Sequence, residues 1–218
     1  MANEIIKNDN AITLNWADVS GASKYWLQVS KEYLDFRATL LHEDNNLATS
    51  TDTVTATGNQ NYYWRWRPYV SGAWTPWREW NSFIVNTSAS DDVSATDWMF
   101  INKSDITDVY ILENQPIEKP IEIAEHIWEA KRRNRKGKLR TQHFTTKGTI
   151  SINISRHMGN NQKAEILRFY NAHTSFYLAT RYDNQTEDDY VYRCYEVLFT
   201  EVPQLDIKGG NILNFEEV

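Results

Sequence analysis

Lys131-Arg132-Arg133-Asn134-Arg135-Lys136-Gly137-Lys138-Leu139-Arg140 is the densest charge feature of the chain, with seven basic residues in ten. Gly137 suggests a turn inside it. A cationic hairpin tip can stand solvated, meet acidic loops of a neighbouring subunit, or neutralise phosphates by releasing counterions. No aromatic residue lies within the run to accompany phosphate contact. Its surroundings are not basic either: through residue 90 there are 7 basic and 9 acidic residues, and beyond it 16 and 20. There is thus no domain-wide nucleic-acid footprint.

A second cluster is aromatic and cationic. In Tyr62-Tyr63-Trp64-Arg65-Trp66-Arg67-Pro68, strand alternation puts Trp64, Trp66 and Pro68 on one face and Arg65 and Arg67 on the other. If the first face is core, both guanidinium planes project outward beside Trp74 and Trp77. Such stacks gain roughly 0.5–1 kcal/mol per exposed pair. Arg65, Arg67, Trp74 and Trp77 can therefore stiffen a sheet or form a surface patch for sugar or protein.

Catalytic patterns are absent. The histidines His42, His126, His143, His157 and His173 show no His-Glu-x-x-His spacing, although His126 lies near Glu125 and Glu129. There is no glycine-rich phosphate loop and no nucleophile elbow. Glu187-Asp188-Asp189 lacks the glycine and terminal glutamate of a calcium-binding EF-hand loop and reads as a solvated loop. Cys194 is the only cysteine, so an intramolecular disulfide and a cysteine-built metal cage are excluded. It alternates within a strand and reads as a small buried apolar residue. The expectation is no catalytic residue, no metal and no cofactor.

These features must be positioned by 218 residues, which suits one or two domains. The net charge is 23 − 29 = −6, and 41% hydrophobic residues suffice for a core. Mean hydropathy is −0.63, and no apolar run approaches the ~18 residues of a membrane span. The start, MANEIIKNDN, lacks the pattern of a secretory signal. Tryptophan (9) and tyrosine (12) are plentiful while glycine (8) and proline (5) are scarce, a balance that favours sandwich cores and contact surfaces. The small polar stretch 87–96 reads as a linker between an N-terminal region (1–86) and a C-terminal region (97–218).

The N-terminal region reads as short strands: Ile12–Trp16, Tyr25–Val29, Asn61–Val70 and Ala73–Val85, with a turn at Gly21-Ala22. This suggests a sandwich. Leu14-Asn15-Trp16, Val19-Ser20-Gly21-Ala22 and Tyr25-Trp26-Leu27-Gln28-Val29-Ser30 resemble the B and C strands of a fibronectin type III domain. Tyr62 to Pro68, Gly72 and Trp74-Thr75-Pro76-Trp77 resemble its F and G strands. Trp66 and Pro68 depart from the family, which usually has smaller apolar residues there. The alternation of Arg65 and Arg67 with Trp74 and Trp77 resembles the arginine–tryptophan ladder of cytokine-receptor fibronectin domains.

The C-terminal region reads as α+β. Asp108–Leu112 is a strand, and Ile121–Trp128 is open between strand and helix. Thr149–Ser155 is a strand. A helix covers Asn161–His173 with Asn160 or Asn161 as its N-cap. Strands follow at Phe176–Tyr182, Tyr190–Val202 and Ile212–Val218. Ala164 to Tyr170, Ser175 to Asp183, Tyr192 to Phe199 and Leu213 to Val218 resemble, in order and pattern, the tail-tube and distal-tail superfamily of tailed bacteriophages. The family's glycine after the helix is missing; His173-Thr174-Ser175 stands there.

Together the resemblances imply a mainly β chain: a fibronectin type III-like sandwich, then a tail-tube-like β-barrel or sandwich with one helix. They imply a structural virion protein and not an enzyme, assembled in the host cytoplasm into a homo-oligomeric, hexameric ring of the tail. Neighbouring tail proteins would be partners, and DNA only passing content of the lumen. The hairpin residues Lys131, Arg132, Arg133, Arg135, Lys136, Lys138 and Arg140 would contact another subunit, while the fibronectin-like domain would project outward, available to the host surface. The alternatives are a carbohydrate- or protein-binding module using the aromatic face of the N-terminal region, and an enzyme such as a glycan hydrolase using paired carboxylates.

Overall fold

The computed structural model describes residues 4–32, 36–78, 80–94, 98–112, 121–133, 139–154, 158–183, 190–205 and 211–218. At 4, 94, 121–133, 139–147, 180–183, 190–192 and 211 it describes the backbone alone. The protein is mainly β. It divides into two compact units: Met1–Met99 with Ala179–Tyr195, and Phe100–Leu178 with Glu196–Val218.

The first unit begins with nine strands: β1 (Glu4–Lys7), β2 (Ala11–Asn15), β3 (Ala22–Ser30), β4 (Leu40–Leu47), β5 (Thr51–Thr55), β6 (Asn61–Val70), β7 (Ala73–Trp74), β8 (Asn81–Val85) and β9 (Val93–Ser94). One sheet has the order β4-β3-β6-β8-β1-β9, with β7 pairing β6; the other is the pair β2-β5. Alternation explains why they face each other. Ile12 and Leu14 of β2 and Val54 of β5 bury one side of the small sheet, against Leu27, Val29, Trp64, Trp66, Phe83 and Val85 of the large one. Trp64 and Trp66 are thus core, as the alternation of β6 requires.

Ser71 and Gly72 form the two-residue hairpin between β6 and β7, with φ of 52° and 84°. Positive φ at both positions is what a type I′ turn demands. After it, the single strand expected over Ala73–Val85 is broken. Ala73–Trp74 pairs with β6, residues 75–78 are irregular, and pairing resumes at Asn81. Pro76 has no N–H to donate to a ladder. The irregular stretch still docks on β6: Thr75 N–H donates to the Pro68 carbonyl (3.1 Å) and Arg78 N–H to the Trp66 carbonyl (2.9 Å). Asn81 then pairs with Trp64. Three residues therefore advance for every two of β6, and Trp74, Trp77 and Trp80 recur at the same phase. The described part of the polar stretch, 87–94, also carries structure, since β9 pairs antiparallel with β1.

The second sheet runs β11-β10-β14-β15-β16-β13-β12. Its strands are β10 (Met99–Asn102), β11 (Val109–Ile111), β12 (Ile121–Arg133), β13 (Leu139–Ile154), β14 (Phe176–Asp183), β15 (Tyr190–Phe199) and β16 (Asn211–Glu217), with helix α1 (Asn160–Asn171) before β14. The ambiguous stretch from Ile121 is strand. The core of the second unit gathers on Phe100, whose ring lies 5.0–6.0 Å from those of Phe169, Phe176, Phe199 and Phe215. Ile166 and Phe169 bury the inner face of α1. The helix starts one residue earlier than expected: Gly159 is its N-cap, and its N–H donates to Gln162 Oε1 (3.0 Å). At the other end His173, φ +51°, occupies the left-handed position where helices commonly carry glycine.

β13 pairs with β16 over Thr149–Ile154. On its other side it pairs with β12 from Ile121↔Ile152 to Arg133↔Leu139, with a bulge between Trp128 and Glu129. Among the described residues, Leu139–Gly148 pairs with β12 alone. The hairpin thus runs past its sheet as a two-stranded ribbon.

Candidate functional site

The arginine–tryptophan cluster is built on the outer face of β3 and β6. Their register sets Trp26 opposite Arg67 and Gln28 opposite Arg65. Arg67 Cζ lies 4.1 Å from the centre of the Trp26 ring, 4.3 Å from Trp77 and 5.4 Å from Trp74. Arg65 Cζ lies 4.4 Å from Trp77 and 4.3 Å from Phe36. Lys24 Nζ extends the series over Tyr69 (5.3 Å) and Trp74 (5.4 Å). Trp26 meets Trp74 and Trp77 edge-on, each at 5.3 Å. The structure thus brings Arg65, Arg67, Trp74 and Trp77 together.

Polar contacts fix the stack. Arg65 donates through Nε (3.0 Å) and Nη2 (2.8 Å) to Gln28 Oε1. Gln28 Nε2 and Trp26 Nε1 both donate to Glu43 Oε1, at 2.7 and 2.9 Å. Arg67 Nε is shielded from solvent and has no hydrogen-bond partner among the described residues; aromatic rings lie against the guanidinium instead. Burial, then the positive charges of Arg67 and Arg37, push the Arg65 guanidinium below its ordinary pKa, and burial does the same at Arg67. Both remain cations, since guanidinium starts so high.

Trp26, Lys24, Phe36, Tyr69, Gln28 and Glu43 complete the ladder and lie outside the set expected from sequence. The signal available is alternation: Tyr25, Leu27 and Val29 inward leaves Lys24, Trp26 and Gln28 outward. Which outward residues meet which arginine depends on cross-strand register. Trp26, Trp74 and Trp77 each lie against a protein cation, so part of their indole surface is engaged within the sheet while all three stay partly exposed.

A second aromatic group covers the neighbouring part of this face. Trp80 meets Tyr63 and Tyr195 edge-on, each at 5.5 Å, with Arg193 Cζ 4.1 Å from its ring. Asn61 Nδ2 donates to the Cys194 carbonyl, and Cys194 N–H donates to Ser82 Oγ. Cys194 is fully buried, which pushes its thiol well above the ordinary range; it is not poised for nucleophilic attack.

For the basic run, the backbone is described at residues 131–133 and 139–140, where β12 ends and β13 begins. Register sets Lys131 opposite Thr141, Arg132 opposite Arg140 and Arg133 opposite Leu139. The inter-subunit reading of Lys131, Arg132, Arg133, Arg135, Lys136, Lys138 and Arg140 concerns side chains that lie outside the described residues. His157 and the acidic group Glu187-Asp188-Asp189 lie outside them as well. Among the described residues no group of three or more His, Cys, Asp or Glu is placed to hold a metal ion, and no helix is long and apolar enough to cross a membrane. No family model, curated protein or solved structure matches the chain.

Proposed function

We propose that this chain is a structural protein of a bacteriophage tail, a ring-forming tube or distal-tail component that carries a fibronectin-like sandwich. The observation that carries the reading is the β12–β13 ribbon. Beyond the six residues of β13 paired with β16, a further nine cross-strand positions are supported by one partner strand only. At about 3.4 Å per residue that is an arm of roughly 30 Å. A two-stranded ribbon is marginal alone in water, so an arm of this length gains from a surface supplied by something else. A second copy in a closed ring offers such a surface through a heterologous interface, one patch meeting a different patch.

The order of elements supports the same reading. A short helix precedes a strand, and the closing strand β16 lies between β15 and β13. Among the described residues the second sheet ends at β11 and β12 without closing on itself, as expected of a barrel segment completed by its copies. In the first unit, β2-β5 packed on β4-β3-β6-β8 supports a fibronectin type III-like sandwich. The arginines stacked on Trp26 and Trp77 favour stiffening over carbohydrate binding.

The test is negative-stain microscopy of the purified chain at high concentration. Rings or tubes are expected. Arg132→Glu, Arg133→Glu and Arg135→Glu together should leave the melting temperature unchanged and abolish stacking. A chain that stays monomeric in every salt condition overturns the assignment; unchanged stacking in the triple variant overturns the role of the hairpin.

A further inference from the structure

The outer edge of the large sheet in the first unit is covered by a much shorter strand than those within it, on a segment also tied by Thr87 N–H and Oγ1 to Asn59 Oδ1. β1 pairs in parallel with β8, Ile6 opposite Ile84 and Lys7 opposite Val85. On its other side, among the described residues, stands β9 alone, two residues long, with Glu4 opposite Ser94, Ile6 opposite Val93 and an irregularity between the two pairs. The chain reaches that place by turning back after β8. Asn86 N–H donates to the Lys7 carbonyl (2.8 Å), Ser88 N–H to Asn86 Oδ1 (2.8 Å) and Ala89 N–H to the Asn86 carbonyl (3.0 Å). The return leg is tied by Asn8 N–H to Asp92 Oδ1 (2.8 Å), Asn8 Nδ2 to the Ser90 carbonyl (3.4 Å), and Lys7 Nζ beside Asp92 Oδ2 (3.7 Å).

Those ties to Asn8 are solvent-exposed hydrogen bonds, which contribute little against competing water. The strand beneath is different: Ile5 and Ile6 are buried in the sheet it belongs to. An uncovered β1 edge would present a row of unpaired N–H and C=O groups, a template for another strand. Its sequence specifies which strand. Glu4-Ile5-Ile6-Lys7 placed antiparallel on itself sets Glu4 opposite Lys7 and Ile5 opposite Ile6, and opposite charges facing each other across strands attract. The same patch then serves both copies, as two-fold pairing requires.

We propose that residues 86–94 are a displaceable strap reserving the β1 edge, and that its release lets β1 of two copies pair antiparallel about a two-fold axis. The device is independent of the hairpin and of ring formation. It makes self-association through the sandwich conditional on the strap.

The test uses the full chain. Asn8→Ala with Asp92→Ala should accelerate amide hydrogen exchange at residues 4–7 at least tenfold in dilute solution. In sedimentation velocity the same variant should form a dimer that the parent lacks. Within that loosened background, Glu4→Lys alone and Lys7→Glu alone should each lose the dimer, because like charges then face each other. Mixing these two variants should restore it, since each supplies the charge the other lacks. Unchanged exchange at residues 4–7 shows that the strap does not cover the edge and overturns the proposal. Faster exchange without a dimer, or a dimer indifferent to the charge swap, overturns it as well.

Discussion

The guanidinium of Arg67 lies 4.3 Å from the centre of the Trp77 ring, although Trp77 sits in a stretch with no regular strand pairing. The ring is held by stacking where the ladder of backbone bonds is interrupted. Cation–π contacts are worth about 0.5–1 kcal/mol when exposed and about 2 when desolvated. Arg67 meets three rings and its Nε is shielded from water. Arg67→Met keeps most of the volume and removes the charge. It should lower stability by about 1–2 kcal/mol, read as a drop in calorimetric melting temperature, while Arg67→Lys should recover part of the loss. A methionine variant as stable as the parent would show that the charge contributes nothing.

Cys194 gives a pH dependence with a definite sign. Burial raises its thiol pKa in the folded chain, while the unfolded thiol ionises at about 8.5. The unfolded state therefore releases a proton that the folded state keeps, and stability falls as pH rises above about 8.5. Stability measured by urea titration between about pH 8 and 10 should decline less steeply in Cys194→Ala than in the parent. Equal slopes would mean that the thiol ionises alike in both states. A thiol reagent should find no reactive cysteine in the native chain and one per chain after denaturation.

Local rules account for much of this architecture, and long-range register for what they miss. The helix expected over Asn161–His173 runs from Asn160 to Asn171 because Ile166 and Phe169 fall at helical spacing. Its cap falls on Gly159 and not on an asparagine, although asparagine is the better capping side chain, because Gln162 caps Gly159 from within. Outward projection of Arg65 and Arg67 follows from alternation in one strand. Trp26 as the partner of Arg67 requires the β3–β6 pairing, some forty positions apart in sequence, and Phe36 requires the chain to return after β3. The break at Pro76 is readable from its missing N–H. Arg193 and Tyr195 against Trp80 are not, since no local pattern joins residues so far apart along the chain.

His173 marks a site for stabilisation. Its φ of +51° costs an L-residue roughly 1 kcal/mol. Glycine adopts that conformation freely but loses more entropy on folding. His173→Gly also removes the edge contact of the imidazole with Tyr170, 5.7 Å between centroids. The balance of strain relieved against entropy lost should favour glycine by about 0.5 kcal/mol, seen as a higher urea midpoint at constant slope. A lower midpoint would show that the contact with Tyr170 outweighs the backbone strain.

The pairing of Arg168 with Asp108 predicts behaviour in acid. Arg168 donates to both carboxylate oxygens of Asp108, at 2.7 and 2.8 Å, and Nε donates to Glu165 (2.8 Å). The hydrogen bonds from Arg168 hold the Asp108 carboxyl below its ordinary pKa. A lowered carboxyl contributes stability above its unfolded value, about 3.9, and loses it as pH falls through the folded value. Asp108→Asn should therefore lower stability most in the neutral range and flatten the fall below about pH 4, where the two chains converge. An acid-induced loss of stability as steep in Asp108→Asn as in the parent would show that Asp108 contributes nothing to it.

The Trp80 cluster makes the strongest claim about how the sandwich is completed. Residues 179–195 belong to the same compact unit as residues 1–99. Their described end, Arg193–Tyr195, contacts Trp80, while the Cys194 peptide is held by Asn61 at its carbonyl and by Ser82 at its N–H. Tyr63 and Ser82 are buried on the face where those contacts lie. A sandwich cut off after residue 99 would lose the contacts of Arg193–Tyr195 and keep, of the Asn61 bonds, the one to Tyr63 Oη. In the full chain, Trp80→Ala removes the ring that Tyr63, Tyr195 and Arg193 share. Complete burial would make that loss about 3–5 kcal/mol; for a half-buried ring about 2 kcal/mol is expected. Amide exchange at β6 and β8 should accelerate accordingly, while exchange at β2 and β5, on the opposite sheet, should change less. If the truncated sandwich melts at the same temperature as the first unit of the full chain, the distant segment adds nothing to its stability. The sandwich would then be complete without residues 179–195.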